Sequence, residues 1–180
     1  MFFPALDFGE KSVYCVGMQT FLPSLDHAET AYVLDNKRLN KQALEAWQLM
    51  LVNLKLDPVG NFREPRGWYN HPAALMWRGH EGALLEYIEA MTVEWKSRGY
   101  KTTIFDKAKS TLDSALRLNI SFSLDKPRWM KTLSALDVAS SHRLALLTKN
   151  YEHYRQFGWS EDPGCAPEAY EYVWLTSQNA

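Results

Sequence analysis

Leu34-Asp35-Asn36-Lys37-Arg38-Leu39-Asn40-Lys41-Gln42-Ala43-Leu44-Glu45 decides the fold class, because its period is helical. At about 100° per residue, Leu39, Ala43, Trp47, Met50 and Leu54 share one side of a helix. Arg38, Lys41, Gln42 and Glu45 share the other. The apolar stripe fixes the helix to a core. It predicts that Glu45 points away from that core, with two cations and an amide within one or two turns. Chemistry on a polyanion uses such a set: cations hold phosphate, and one carboxylate manages a proton or a developing positive charge. The same spacing also describes a solvated helix face with i,i+4 pairs such as Lys41–Glu45.

Working outward, the neighbouring segments are helical as well. Asp26 with Glu29 three residues on is a helix start of capping-box type, and the pattern then runs to about Lys55 with a break near Asp35-Asn36. Asp57-Pro58-Val59-Gly60 stops it, and residues 57–71 form a loop. Pro72 suits the first turn of a new helix, Gly79 interrupts it, and Gly99 ends the amphipathic run through Leu84, Leu85, Ile88, Met91 and Trp95. Further helices are expected over 104–118, 131–149 and 151–157, the last closed by Gly158. No alternating strand pattern appears. The expectation is one all-α domain: an extension over 1–17, a compact helical body over 18–160, and a loop-rich tail over 161–180.

The composition fits. At 180 residues, with 46% hydrophobic and 23% charged content, the chain suits a single globular domain. No apolar run is long enough to span a bilayer, and the start lacks the pattern of a signal peptide. Cys15 and Cys165 form no framework, and His27, His71, His80, His142 and His153 match no zinc spacing. A cytoplasmic protein without metal or cofactor is expected. The net charge of −1 argues mildly against nucleic acid, but its distribution does not. From Lys126 to Arg155 six cations face two anions, and an acidic stretch follows.

Three more constellations carry chemistry. Gly67-Trp68-Tyr69-Asn70-His71-Pro72 puts an imidazole and an indole at a loop-to-helix junction, where an anion is favoured; a plain histidine cap fits equally. Ser140-Ser141-His142-Arg143, with Lys149 about two turns later, suits phosphate, or a polar surface turn. Tyr151, Tyr154, Phe157 and Trp159 interleave with Lys149, His153 and Arg155, which suits an unpaired or flipped nucleotide; rings sealing a core edge have the same pattern.

Together these segments resemble the pyrimidine-dimer DNA glycosylases, the phage endonuclease V type and its bacterial relatives. Met18-Gln19-Thr20-Phe21-Leu22-Pro23 is similar to the amino terminus of the bacterial relatives, and Leu34 through Glu45 to the family's first helix. His71-Pro72 with Met76-Trp77-Arg78-Gly79, Glu94 through Tyr100, Ser141 through Lys149, and Tyr154 through Trp159 resemble later blocks. The resemblance covers about residues 18–160. It implies a cofactor-free helical enzyme that binds duplex DNA at a lesion and breaks the N-glycosidic bond. In that family the α-amine of the mature terminus attacks C1′, forms a Schiff base and nicks the strand by β-elimination. Carried over, Glu45 is the catalytic carboxylate, and Arg38, Gln42, His71, Arg78, His142, Arg143, Lys149 and Trp159 bind DNA.

The amine is where this chain departs. Residues 1–17 precede Met18, and bulky Phe2 follows Met1. A chain beginning at Met18 offers its own α-amine. Otherwise Met1 folds back, Lys41 substitutes, water attacks, or the protein binds without cutting. A non-catalytic nucleic-acid-binding helical module and a protein-interaction domain are the competing classes. Strand cleavage at an abasic site separates the first reading from both, and a steep salt dependence of DNA binding separates the latter two.

Overall fold

A computed structural model describes residues 19–65 and 67–176. The expected extension over 1–17 and Met18 lie outside the described residues. Asp26 starts the first helix, α1 (His27–Val33), by accepting from the N–H groups of Ala28 and Glu29 at 2.8 and 2.9 Å. The reciprocal half of a capping box is not made. Ser24 takes its place: its Oγ accepts from the Asp26 N–H at 3.1 Å and its hydroxyl donates to Glu29 at 2.6 Å. The break near Asp35 is real, since the Asp35 carboxylate caps α2 (Asn36–Leu54) through the Arg38 N–H at 2.9 Å. Lys55, left-handed at φ 56°, ends α2.

An antiparallel bridge from Leu56 to Phe62 closes the start of loop 57–71, and a 3-10 turn, Gly67–Asn70, lies near its end. His71 caps α3 (Pro72–Trp77), with Nδ1 accepting from the Ala73 N–H at 3.2 Å. Gly79, at φ 82°, turns the chain into α4 (Glu81–Ser97), and α5 (Ile104–Arg117) follows. A 3-10 turn over Arg128–Lys131 leads to α6 (Ala135–Lys149). That helix starts four residues later than expected because Thr132 is extended. Of the expected helix over 151–157, Tyr151–Tyr154 is α7 and Arg155–Phe157 is a 3-10 turn. Among the described residues there are seven α-helices and no strand, so the fold is all-α. No described helix is long and apolar enough to cross a membrane.

Helix α4 is the hub and packs on α1, α2 and α5. Leu84, Tyr87, Ile88 and Met91 on its inner face are fully buried, each such side chain stabilising the fold by about 1.5–3 kcal/mol. Arg98, just past its end, binds α1: its guanidinium donates to the carbonyls of Leu34 (2.7 Å), Tyr32 (2.9 Å) and Ala31 (3.2 Å). Those are C-terminal carbonyls that no helical N–H reaches. Trp77 and Trp129 meet edge to face, and their indoles donate to Thr20 and to the Met76 carbonyl, both at 2.9 Å.

The described part of the tail, residues 161–176, has no helix, yet it lies on the body. Glu161 grips Arg143, Tyr151 donates to Asp162 at 2.9 Å, and the Val173 N–H donates to Ser141 at 3.2 Å. Tyr170, Tyr172 and Trp174 alternate along this extended segment, so their rings form one row, with centroids 5.0 and 5.4 Å apart.

Candidate active site

The polar side of α2 is open only in part. Gln42 and Glu45 are 1% and 6% exposed, although the helical period predicts that Glu45 points to solvent. The reason is tertiary: residues 19–22 run across this side of α2, and α6 and the tail close over them. The apolar stripe is buried as the period requires.

Glu45 is held by three donors. Its Oε1 pairs with Lys41 Nζ at 3.0 Å, one helical turn back. Its Oε2 accepts from Gln42 Nε2 at 3.2 Å and from the main-chain N–H of Gln19 at 3.4 Å. Lys41 itself is 62% exposed, so Oε1 is paired with a cation at the surface. Gln42 in turn accepts from the Phe21 N–H (2.7 Å) and the Tyr87 hydroxyl (2.9 Å). Burial, then the nearby Glu45 charge, hold the Tyr87 phenol well above its ordinary range. The Tyr172 phenol is also raised, by burial first, then by Tyr170 and Glu45.

His142 lies on the other side of residues 19–22. It is fully buried, so neither the phosphate-holding nor the surface-turn expectation describes it. Burial lowers its pKa to about 3, so the ring is neutral. Leu22 N–H donates to Nδ1 at 2.8 Å, which puts the ring proton on Nε2. The structure sets the Gln19 carboxamide nitrogen 2.6 Å from Nε2; turned by a half-turn, the carboxamide accepts the ring proton through its oxygen. Unturned, it sets two donors face to face and leaves that oxygen without a partner.

The other expected DNA-binding side chains have protein partners. Arg38 pairs with Asp35 and lies over the Tyr154 ring. Arg143 makes a two-point contact with Glu161, at 2.8 and 2.7 Å, and donates to the Pro23 carbonyl. Its hydrogen bond is the main cause that lowers the Glu161 pKa to about 2. Lys149 donates to the Tyr170 hydroxyl and sits over its ring. Arg78 donates to the Tyr69 carbonyl and stacks 3.9 Å from the Tyr69 ring centroid. Trp159 stacks on Tyr154 and Phe157, sealing an edge of the core. His71 is a helix cap between the rings of Trp68 and Trp174, and burial lowers its pKa. The structure thus brings Lys41, Gln42, Glu45 and His142 together around residues 19–22, and leaves Arg78, Arg143 and Trp159 in separate contacts. No described group of three or more His, Cys, Asp or Glu could hold a metal ion.

A cleft of about 420 Å³ opens beside α2, lined by Trp47, Gln48, Lys55, Arg63 and Trp68 among others. Gln48 is one turn on from Glu45. No local pattern marks this cleft, because its walls come from α2 and from loop 57–71.

A family model described as pyrimidine dimer DNA glycosylase matches residues 18–108, just over half of the chain. The chain belongs to this family. The glycosylase match contains Gln19, Lys41, Gln42, Glu45 and Tyr87, whereas His142 and Tyr172 lie outside it. Membership carries a DNA glycosylase-type function, with DNA as the partner, at the level of the family. No curated protein and no solved structure matches the chain.

Proposed function

We propose that this family member is a DNA N-glycosylase that removes a damaged or modified base from duplex DNA, with Glu45 as its acid–base carboxylate. One observation carries the reading: an ionisable group only 6% exposed is gripped by an ammonium, a carboxamide and a main-chain N–H. A carboxylate on a solvated helix face has no such enclosure. Buried ionisable groups with built partners concentrate at functional sites.

In the reaction the C1′–N bond breaks, the base leaves with the bonding pair and takes a proton, and a nucleophile adds to C1′. Glu45 moves the proton and stabilises the positive charge that builds on the sugar. Lys37 and Lys41 are exposed on α2 and supply cations for phosphate. The partly exposed Trp68 at the cleft, with Lys55 and Arg63, offers stacking surface and charge to an unpaired nucleotide.

AP-lyase activity belongs to the same proposal. Gln19 N lies 3.4 Å from Glu45, so a chain beginning at Met18 carries its α-amine one residue from the carboxylate. Lys41 is the second amine in reach, and its Nζ is paired with Glu45 Oε1 at 3.0 Å.

Base release from lesion-containing duplex tests the carboxylate. Glu45→Gln should cost about 10²–10⁴-fold in rate and leave DNA binding intact. Activity within a few-fold of wild type rejects the role. Borohydride trapping on abasic duplex tests the amine. The full chain is compared with one beginning at Met18, each with and without Lys41→Ala. Trapping by the shorter chain alone, regardless of Lys41, assigns the terminal amine. Base release without trapping assigns water and removes the lyase half.

A further inference from the structure

We propose that Tyr87 is a positioning residue for Glu45, acting through Gln42. This rests on the reading of Glu45 as the acid–base carboxylate. Tyr87 sits on α4, and its hydroxyl reaches across the helix interface to Gln42, 45 residues away in sequence. The ring itself is fully buried, edge-on to His27 at 5.4 Å and tilted against Trp77 at 6.0 Å. It has no room to swing, so the hydroxyl position is fixed by packing.

What the hydroxyl fixes follows from donor and acceptor counting. A carboxamide has one accepting and one donating end, and it presents either by a half-turn. Gln42 Oε1 receives two donors, the Phe21 N–H and the Tyr87 O–H, which fills both lone pairs. The reversed amide would press its NH2 against the Phe21 N–H, which can only donate, and would lose the Tyr87 hydroxyl as a donor. The remaining end, Nε2, therefore faces Glu45 Oε2. With Gln19 N–H on the same oxygen, Oε2 is committed to the protein interior. The other oxygen, Oε1, is left with the exposed Lys41 alone. The chain Tyr87–Gln42–Glu45 thus turns one chosen oxygen of the carboxylate toward the side where substrate arrives.

The hydroxyl has a second acceptor, the Phe21 carbonyl at 2.8 Å, and only one proton. That second bond ties α4 to the stretch that carries Gln19, whereas the bond to Gln42 ties α4 to α2. Only the bond to Gln42 orients the carboxylate, and the two roles separate in a double-mutant cycle.

Tyr87→Phe keeps the ring and removes the hydroxyl. It is measured in the full chain as a single-turnover rate of base release, with the Kd for lesion-containing duplex and a thermal melt, alongside Gln42→Met, the double variant and Glu45→Gln. The expected result is a rate loss of about 10- to 100-fold for Tyr87→Phe, the usual size for an outer partner of a reacting group. Kd should hold within about twofold, and Tyr87→Phe should cost nothing further in the Gln42→Met background. A residue that merely supports the fold gives additive losses in the two backgrounds, and that result overturns the proposal. So does a wild-type rate in folded Tyr87→Phe. Should Tyr87→Phe be unfolded at the assay temperature, Gln42→Met removes the link itself, and a wild-type rate there overturns the proposal equally. Glu45→Gln separates the levels: if it stays active, the assignment of Glu45 falls; if it is dead while Tyr87→Phe is unaffected, only the positioning role falls.

Discussion

Acidification from pH 7.5 to 5.5 should destabilise this protein through two buried imidazoles. His142 and His27 have folded pKa values lowered by burial to about 3 and about 4. An unfolded imidazole titrates near 6.5. As the pH falls through that value the unfolded chain takes up protons that the folded chain refuses. Stability is therefore complete above 6.5 and drains away between 6.5 and the folded values. At pH 5.5 each ring costs about 1.4 kcal/mol, fixed by the unfolded value and insensitive to how low the folded one lies. The pair costs about 3 kcal/mol, or about 6–12 °C in Tm for a chain of this size. The check is a set of thermal melts across that window for wild type and His142→Asn, whose carboxamide oxygen can still accept from the Leu22 N–H. The variant should lose about half of the pH dependence. An unchanged dependence would mean that His142 is not held neutral, and the assignment of its tautomer would go with it.

Other outcomes are expected. Arg98→Ala strands carbonyls at the end of α1 and should cost about 2–3 kcal/mol in a urea melt, with Arg98→Lys restoring only part. Gly82→Ala should destabilise by about 1–3 kcal/mol although alanine normally favours a helix, because a Cβ there would lie 2.7 Å from the Ser123 carbonyl oxygen; a gain in Tm would contradict the packing. The Glu161 carboxyl, held at about 2 mainly by Arg143, contributes stability above pH 4.5 that is lost as the pH falls toward 2. Being partly screened, it is worth about 1–2 kcal/mol, so wild type and Arg143→Met should converge between pH 5 and 2.5.

The fold was largely legible because its punctuation is local. Asp26, Asp35, Pro72, Gly79, Gly99 and Gly158 act within a few residues of themselves, and each marks a helix boundary in the structure. The site was legible only in part. Helical period placed Lys41, Gln42 and Glu45 together, but period sees one helix and not what covers it. The cover is residues 19–22, and nothing in their pattern shows that Gln19 N meets Glu45. Tyr87 reads as an ordinary core ring, since its hydroxyl bond to Gln42 spans two helices. Arg143 and Lys149 have the composition of a phosphate-holding face. Their partners, Glu161 and Tyr170, come from a tail that carries no periodic signal.

The hydrogen bonds that close the molecule have nearly one length in sequence. Leu22 to His142, Pro23 to Arg143 and Val33 to His153 each span 120 residues, and Asp35 to Tyr154 spans 119. The front of the chain is thus buttoned to its rear at four successive points. At about 5–20 residues per second of synthesis, the first button waits roughly 6–24 s for its hole. During that interval residues 19–22 have no α6 to lie against, and Glu45 lacks a settled donor from Gln19. Ribosome-bound chains stopped before His142 should therefore carry the whole of α2 and still have an unassembled carboxylate, so the proposed site comes together only as the last helices appear.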